Sequence, residues 1–359
     1  MKTLSATCAL LLLLAGGLDL QAKPKKVKEG SKDAVANFEA LWQNFHKRYA
    51  FFELRGVDWQ KQYETFRPKV TKATTDEELF GILCEMLAPL KDGHVNLKAR
   101  GGDHKGKYNP EDEPQFYSEF SSQQLVEELF QLTNKNLRKD GFGEVEDDTQ
   151  LFRHAKSDKL GYLRILEFEG LSKKKTNAAL DRIFAGFAGL DGLIIDIRDN
   201  PGGTDAMVYL IAGRFADKTR VGHHRRTKKG AGADDFSPVK TKNLEPHGKT
   251  QFTKPVALLT NDASFSAADV FAMVMKELPH VRIIGDHTNG IFSNMFEAKL
   301  PNGWKYTFSY QRYYSPKMVC FEAKGIPVHE EVLNTKADLK TGIDPVLKAA
   351  LADLVRRTK

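Results

Sequence analysis

From Gly161 onward the chain alternates short apolar segments with amphipathic helical segments, and this alternation restricts the fold more than any other feature. The predicted strands span residues 162–168, 193–197, 256–260 and 281–284. The predicted helices among them span residues 174–188, 204–216 and 266–278. Short continuous apolar runs are typical of strands buried on both faces, and strand–helix alternation favours a parallel sheet. We therefore predict an α/β core with a mostly parallel sheet over residues 161–355.

The N-terminal part has a different, helical pattern. Aromatic and aliphatic residues recur at spacings of three and four between Val35 and Phe52, which places them on one helix face. Thr75 followed by Glu78 is a capping box that starts a further helix. We predict an N-terminal helical subdomain over residues 30–97. Residues 98–160 form a connecting region of unclear fold, apart from one amphipathic helix near 122–135, and residues 218–254 are expected to be a surface loop or hairpin.

Residues 1–22 have the pattern of a secretory signal peptide. Lys2 precedes an apolar stretch from Leu4 to Leu18, and the segment ends in the small residue Ala22. Such a stretch is short for a bilayer-spanning helix, which needs about 20 apolar residues. We therefore expect an exported chain, periplasmic or secreted, with no stable membrane insertion after signal cleavage. An uncleaved membrane anchor is the alternative.

Charge and cysteine usage narrow the possible partners. The net charge is +7, and much of it lies in two basic runs, 23–28 and 223–229. No nucleic-acid-binding motif accompanies them, so we expect a solvated tail and a solvated loop and no nucleic-acid partner. After signal removal, Cys84 and Cys320 remain. Neither belongs to a C-x-x-C pair, so metal or redox chemistry is not expected, although one disulfide is possible.

A serine marks the junction between the predicted strand 256–260 and the helix 266–278. Ser266 stands at the start of that helix, where free backbone N–H groups and the helix dipole would stabilise an oxyanion. Serine is also a preferred N-cap residue, so capping alone would account for its position.

Two other segments carry residue types that acyl transfer uses. The strand 193–197 runs into a turn containing Gly202 and Gly203, whose backbone N–H groups could face a ligand. An ordinary strand-to-helix turn is the alternative. His94 follows a helix end and precedes an apolar strand, where it could act as a general base. A single histidine is more often structural or solvated.

Five short segments occur in an order that carries a family resemblance. They are Asp92-Gly93-His94, Arg198 to Gly203, Ser266 to Asp269, Gly285 to Gly290, and Glu322 to Pro327. In this order they resemble the tail-specific, C-terminal processing serine peptidases. The chain is most similar to the branch with the tricorn protease core and interphotoreceptor retinoid-binding protein. The resemblance covers about residues 30–97 and 160–335 and implies a crotonase/ClpP-like core.

The same resemblance implies a function. It predicts a serine endopeptidase with Ser266 as nucleophile, His94 as base and Glu322 as the residue that orients the imidazole. Glu322 alone is equally compatible with a surface charge. The implied partners are peptide or protein substrates, and no metal or organic cofactor is implied. The implied oxyanion-hole donors are backbone N–H groups of Ala267 and of Gly202 or Gly203.

The sequence departs from the family pattern at several positions. Processing peptidases use a Ser–Lys dyad, and the position of that lysine is Ile291 here, which disfavours a lysine base. The tricorn pattern has a serine before the histidine, where this chain has Gly93. Asp269 replaces the more common glutamate after the serine, and no peptide-binding insert is recognisable.

Two rival functions stay open. A catalytically inactive member of the same family would bind a peptide or a hydrophobic ligand, with an apolar pocket in place of converging polar residues. An esterase would use the same residues on small esters. The sequence does not predict the oligomeric state.

Overall fold

The computed structural model describes residues 32–100, 104–110 and 114–359, so the predicted signal peptide lies outside the described residues. The helices are α1 (Ala34–Arg48), α2 (Trp59–Phe66), α3 (Asp76–Leu87), α4 (Gln115–Glu119), α5 (Gln123–Lys139), α6 (Lys173–Gly186), α7 (Asp205–Ala212), α8 (Ala267–Lys276), α9 (Lys336–Thr341) and α10 (Pro345–Arg357). The strands are β1 (Asn96–Ala99), β2 (Gly106–Tyr108), β3 (Glu146–Asp148), β4 (Phe152–Lys156), β5 (Leu160–Ile165), β6 (Gly192–Asp196), β7 (Arg220–Thr227), β8 (Lys240–Leu244), β9 (Val256–Thr260), β10 (Val281–Gly285), β11 (Met295–Lys299), β12 (Lys305–Ser309), β13 (Gln311–Tyr314) and β14 (Glu330–Glu331).

The main sheet has the order β14-β10-β9-β6-β5-β4-β3. Strands β5, β6, β9 and β10 run parallel, and all five residues of both β6 and β9 are buried. Helices α6, α7 and α8 cover one face, whereas α5 and α10 cover the other. Burial on both faces explains why these strands are apolar without interruption. The predicted α/β class with a mostly parallel sheet is confirmed.

The predicted N-terminal helices are present, but their core is not purely helical. Strands β11 and β12 pair with β1 and β2 in a second sheet, in the order β11-β12-β1-β2, and α1 to α3 pack against it. The Phe45 ring of α1 packs at a tilt of 44° against Phe308 of β12, with ring centroids 4.4 Å apart. A hairpin from residues 295–309 therefore completes the core of the N-terminal subdomain. The Thr75–Glu78 capping box starts α3 as predicted.

The connecting region contributes to the main sheet. Strand β4 pairs antiparallel with β5, and β3 pairs antiparallel with β4, so the main sheet begins before residue 161. The amphipathic helix predicted near 122–135 is α5, which covers the sheet face that also receives α10.

Segment 218–254 forms a hairpin, β7 and β8, extended by β13. The basic run 223–229 lies in and just after β7, with His223 and Lys228 buried, so the expectation of a solvated loop is wrong. Alternate side chains of a strand point to opposite faces, which allows a basic run to contribute to a core. Cys84 and Cys320 are both free thiols. Among the described residues, no helix is both long and apolar enough to cross a bilayer.

Candidate active site

Ser266 lies in a strained turn between β9 and α8. Its backbone has φ 59° and ψ −112°, and its side chain makes no capping hydrogen bond. A non-glycine residue at positive φ costs about 1–3 kcal/mol and persists only where the surroundings impose it. Here Phe265 N donates to the Asn200 carbonyl at 2.9 Å, and Ser264 Oγ donates to the Ile197 carbonyl at 2.8 Å. An N-cap role therefore does not account for Ser266, and its hydroxyl is left free for chemistry.

Asp269 ties this turn to a loop from the following strand connection. It is fully buried and accepts hydrogen bonds from the N–H groups of Gly290 at 2.7 Å and Ile291 at 3.3 Å. The Ser266 N–H and the Thr288 hydroxyl also donate to it. Burial raises the pKa of Asp269 to about 7, although these donors act in the opposite direction. The carboxylate thus connects the serine turn to residues 288–291.

The glycine turn after β6 lies directly against the serine. A Cβ at Gly202 would stand 2.6 Å from the Phe265 carbonyl oxygen and 2.8 Å from both Ala267 N and Ser266 Cβ. No side chain fits there, so the close approach requires glycine. The Gly202 N–H already donates to Asn200 Oδ1 at 2.9 Å. Within the described residues, the N–H groups of Ala267 and Gly203 have no hydrogen-bond partner, which leaves them as the available donors.

His94 reaches the serine turn from the N-terminal subdomain. Its imidazole is edge-on to the Phe265 ring, with centroids 5.3 Å apart, and Phe265 immediately precedes Ser266. The His94 N–H donates to Asp92 Oδ1 at 2.9 Å, and Thr307 Oγ1 donates to the His94 carbonyl at 2.8 Å. The residue is only 3% exposed, and its Nδ1 is buried with no partner among the described residues.

Gly93 replaces the serine that precedes the histidine in the tricorn pattern, and the space around it explains the change. A Cβ at Gly93 would stand 2.9 Å from Phe265 Cε2 and 3.1 Å from Ile291 Cδ1. Any side chain would push these two residues away. The aromatic contact with His94 therefore takes the space that a hydroxyl would need.

Asp92 fixes the backbone that carries the histidine. It is fully buried, and its Oδ2 accepts a hydrogen bond from Tyr49 OH at 3.0 Å. Its Oδ1 accepts from Ser309 Oγ at 3.1 Å as well as from the His94 N–H. Burial and the Asp92 charge raise the pKa of the Tyr49 hydroxyl, which keeps it a donor. Sequence reasoning missed Tyr49 and Ser309, because nothing local marks them as partners of Asp92.

Glu322 is buried in the same region, so it is not a surface charge. It is 1% exposed, and its Oε2 accepts from the Phe292 N–H at 3.0 Å. Its Oε1 has no hydrogen bond among the described residues, and Arg55 Nη2 lies 3.7 Å away. Burial, followed by the charge of Asp92, raises the pKa of Glu322 well above its ordinary value. No direct hydrogen bond joins Glu322 to His94.

Residues 290–293 form a loop, called the 290–293 loop below. It contacts the serine turn, Glu322 and the segment that carries His94. Gly290 and Ile291 donate to Asp269, which holds the Ser266 N–H. The next N–H, of Phe292, donates to Glu322. Ile291 also packs beside the histidine segment, since its Cδ1 would stand 3.1 Å from a Cβ at Gly93, the residue before His94. Three consecutive residues thus bring the serine turn, the glutamate and the histidine segment together.

The electrostatic setting favours a neutral imidazole. Burial lowers the pKa of His94, and the Asp92 charge and the Ser293 carbonyl only partly oppose this. A neutral imidazole is the form that can accept a proton.

Two family models match the chain. The model of peptidase family S41 matches residues 159–332, and the tricorn protease C1 domain matches residues 32–88. A crystal structure of a candidate peptidase from Parabacteroides merdae is 30% identical, with a TM-score of 0.75, and covers 90% of this chain and 97% of its own.

Two curated relatives share shorter segments. Carboxy-terminal processing protease CtpA of Bacillus subtilis is 26% identical over 140 residues, or 39% of this chain and 28% of that protein. The carboxyl-terminal-processing protease of Synechocystis is 24% identical over 197 residues, or 54% of this chain and 43% of that protein. The chain therefore spans less than half the length of either relative. The predicted family is confirmed: the chain belongs to the serine peptidases of family S41.

Proposed function

We propose that the protein is an exported serine endopeptidase in which Ser266 is the nucleophile, His94 the general base and Glu322 a supporting carboxylate. The observation that carries the proposal is that the 290–293 loop donates hydrogen bonds to both Asp269 and Glu322, while the His94 ring packs against Phe265, the residue before Ser266. The strained backbone of Ser266 and its uncapped hydroxyl add independent support. Membership in a family that includes carboxyl-terminal processing proteases supports the choice of peptide bonds as substrate.

The reaction would proceed through an acyl-enzyme. Ser266 Oγ attacks the peptide carbonyl carbon while His94 accepts the hydroxyl proton, and the imidazolium then gives that proton to the leaving amine. Water, activated by the same imidazole, releases the acyl group. The oxyanion receives hydrogen bonds from the N–H groups of Ala267 and Gly203. Removing one such donor typically lowers kcat by about 10²–10³.

Glu322 would act on His94 through charge rather than through a direct hydrogen bond. Protonation of His94 creates a buried cation, which Asp92 and Glu322 would both stabilise when ionised. Glu322→Gln is therefore expected to lower kcat by about 10–100-fold. Unchanged turnover in that variant would remove Glu322 from the mechanism.

Export and substrate type follow from separate features. The signal-peptide pattern of residues 1–22 supports export. The four-stranded sheet has β11 at its edge. This strand begins at Met295, and only Asn294 separates it from the 290–293 loop. An unpaired strand edge can bind an extended peptide by main-chain pairing, so peptide or protein substrates fit this site.

The test combines labelling with hydrolysis. A fluorophosphonate probe should label the wild-type protein at Ser266, and Ser266→Ala should lose both labelling and peptide hydrolysis. The control is Ser121→Ala, which changes an exposed serine outside the site and should keep both. Equal hydrolysis by wild type and Ser266→Ala would exclude the assignment.

The same assay separates the rival functions. Wild-type protein that hydrolyses p-nitrophenyl esters but no peptide or protein would be an esterase. Protein that binds peptides but is neither labelled nor active would be a non-catalytic binding member. Labelling together with peptide hydrolysis supports the peptidase.

A further inference from the structure

A second polar site lies beside the glycine turn, outside the residues assigned to catalysis. It is a cavity of about 440 Å³ at the carboxyl end of β5, between that strand and α5. Its lining includes Phe130, Arg153, Arg164, Leu166 and Asp199. Asp199 stands four residues before Gly203, on the same connection that supplies an oxyanion donor. The cavity therefore borders the strand connection that carries the proposed oxyanion donor.

Arg164 is the unusual member of this lining. It is 7% exposed, yet none of its N–H groups donates a hydrogen bond to a described residue. The nearest carboxylate oxygen, Asp199 Oδ2, is 4.0 Å from Arg164 Nη2. The Arg164 Nε is buried with no hydrogen-bond partner among the described residues, an unfavourable state that is uncommon in folded proteins and calls for an explanation.

The same fold satisfies a neighbouring arginine completely. Arg198 is fully buried and donates to Asp196 at 2.6 Å, to Asp344 at 3.0 Å and to Asn334 at 2.8 Å. Arg164 lies opposite Asp196 in the β5–β6 register, but that carboxylate is bonded to Arg198. Arg164 thus has no hydrogen bond to this carboxylate, and its side chain lines the cavity.

The other charges around the cavity are already engaged or lie at its rim. Tyr117 OH donates to Asp199 Oδ1 at 2.7 Å, and Arg153 Nε donates to Asp147 at 2.8 Å. Glu127 is exposed. The Phe130 ring lies 3.0 Å from the Arg164 guanidinium carbon and holds it in place. A planar, fixed guanidinium matches the two oxygens of a carboxylate.

The position of Arg164 relative to Ser266 determines how far from the scissile bond a bound carboxylate would lie. Strands β9, β6 and β5 are consecutive neighbours, and the Ser266 turn follows β9. Two strand spacings amount to about 10 Å, which an extended peptide spans with about three residues. A carboxylate about three residues from the scissile bond would therefore reach Arg164.

We propose that Arg164 binds a carboxylate of the substrate, so that the enzyme prefers peptides with a negative charge about three residues from the cleaved bond. This specificity rests on the peptidase function proposed above. The carboxylate can belong to an acidic side chain or to a free C-terminus, since the guanidinium contacts are the same for both. Arg164 is then a specificity-determining residue, distinct from the groups that make and break bonds.

The first experiment measures carboxylate binding without hydrolysis. Thermal unfolding is followed in sodium acetate and in sodium chloride at equal ionic strength, for Ser266→Ala protein with and without Arg164→Gln. At ten times the Kd, acetate should raise the Tm by about 2–5 °C when Arg164 is present, and should not do so in Arg164→Gln. The control, Arg153→Gln, removes a cation from the same lining and should keep the acetate response. Equal responses in all three proteins would overturn the proposal.

The second experiment uses cleavage and separates the two carboxylate sources. Wild-type protein digests one peptide set in three forms: with free acids, with the C-terminus amidated, and with Asp and Glu replaced by Asn and Gln. Loss of cleavage on amidation assigns the site to the C-terminus, and loss on side-chain replacement assigns it to an acidic residue. Equal cleavage of all three forms would refute a carboxylate preference.

Kinetics on the preferred peptide then locate the effect. Arg164→Gln should raise KM about tenfold with kcat within about twofold, and Arg164→Lys, which keeps the charge but loses the planar fork, should lie between. An unchanged KM in Arg164→Lys and Arg164→Gln would contradict the assignment. If no variant hydrolyses peptides but the acetate response depends on Arg164, the carboxylate site stands and the peptidase proposal fails.

Discussion

Two buried polar clusters in this molecule differ in how completely their groups are paired. The Arg198 cluster consists of Thr133, Asp196, Arg198, Asn334 and Asp344, and every N–H direction of its guanidinium finds an acceptor. The His94 cluster consists of Tyr49, Arg55, Asp92, His94 and Glu322. In it, atoms of Arg55, His94 and Glu322 are buried without partners among the described residues.

This difference in hydrogen-bond pairing indicates the role of each cluster. A complete buried network fixes the relative positions of the elements that contribute to it, here β6, α5 and the start of α10. An incomplete network keeps polar groups at a cost to stability, and that cost is typical of sites that bind or react. If this is right, substitutions in the first cluster should mainly affect stability, and those in the second should mainly affect turnover.

The largest effect is expected at the histidine. His94→Ala removes the proposed base and should lower kcat/KM by about 10⁴, which corresponds to about 5.4 kcal/mol of transition-state stabilisation. Its free energy of unfolding should fall by less than that of the Arg198 variant below. Steady-state kinetics and urea denaturation measure the two quantities. Near-normal turnover would show that another group is the base.

The converse is expected in the complete cluster. Arg198→Leu leaves the buried carboxylates of Asp196 and Asp344 uncompensated and should lower the free energy of unfolding by about 3–5 kcal/mol. Arg182→Leu is the matched control, because Arg182 is mostly exposed and pairs with Asp148 at 2.6 Å; it should change stability by less than about 1 kcal/mol. Similar losses in both variants, measured in urea, would break the comparison.

A smaller effect is expected from Asp92→Asn. Asp92 raises the pKa of His94 against the larger lowering by burial, so removal of the charge should lower that pKa further. The acid limb of the kcat/KM profile, expected below pH 6.5, should move to lower pH, with kcat reduced about 10–100-fold. A shift toward higher pH would contradict the proposed role of the Asp92 charge.

The last effect concerns Asp269 and the pH dependence of stability, and it is spread over several pH units. Its folded-state pKa of about 7 exceeds the ordinary value of 3.8, so the folded chain binds the extra proton between about pH 4 and 7. This contribution to stability is complete below pH 4 and is lost as the pH rises through 7, by at most about 1.4 kcal/mol per pH unit. Asp269→Asn should flatten that slope in urea titrations at several pH values. An unchanged slope would mean that Asp269 is ionised throughout.

The sequence predicted those parts of the fold that local patterns encode. The strands β5, β6, β9 and β10 are continuous apolar runs, and the start of α3 has its own capping box, so both could be predicted without tertiary information. Short motifs mark Ser266, His94 and Glu322 in the sequence, and their assignment as the site residues stays a prediction. Whether they act as proposed still depends on the experiments above.

Long-range pairings could not be predicted. Nothing near residues 295–309 shows that this hairpin joins the N-terminal sheet rather than the main one, because alternating strands can pair with either. Arg55 approaches Glu322 across 267 positions of sequence, and Tyr49 bonds Asp92 across 43. The use of the Gly202 N–H by Asn200 depends on a turn conformation that residue types alone do not specify.

The pairing of β1 with β12 has a consequence for the order in which the site is completed during synthesis. Asn96 stands opposite Thr307, and the Thr307 hydroxyl donates to the His94 carbonyl, so His94 is held by a strand made more than 200 positions later. A partly synthesised or partly translocated chain contains the histidine and the serine but lacks the strand that orients the histidine. Under the proposed function, proteolytic competence would arrive only with the last third of the polypeptide, and the nascent chain and its neighbours would be spared premature cleavage.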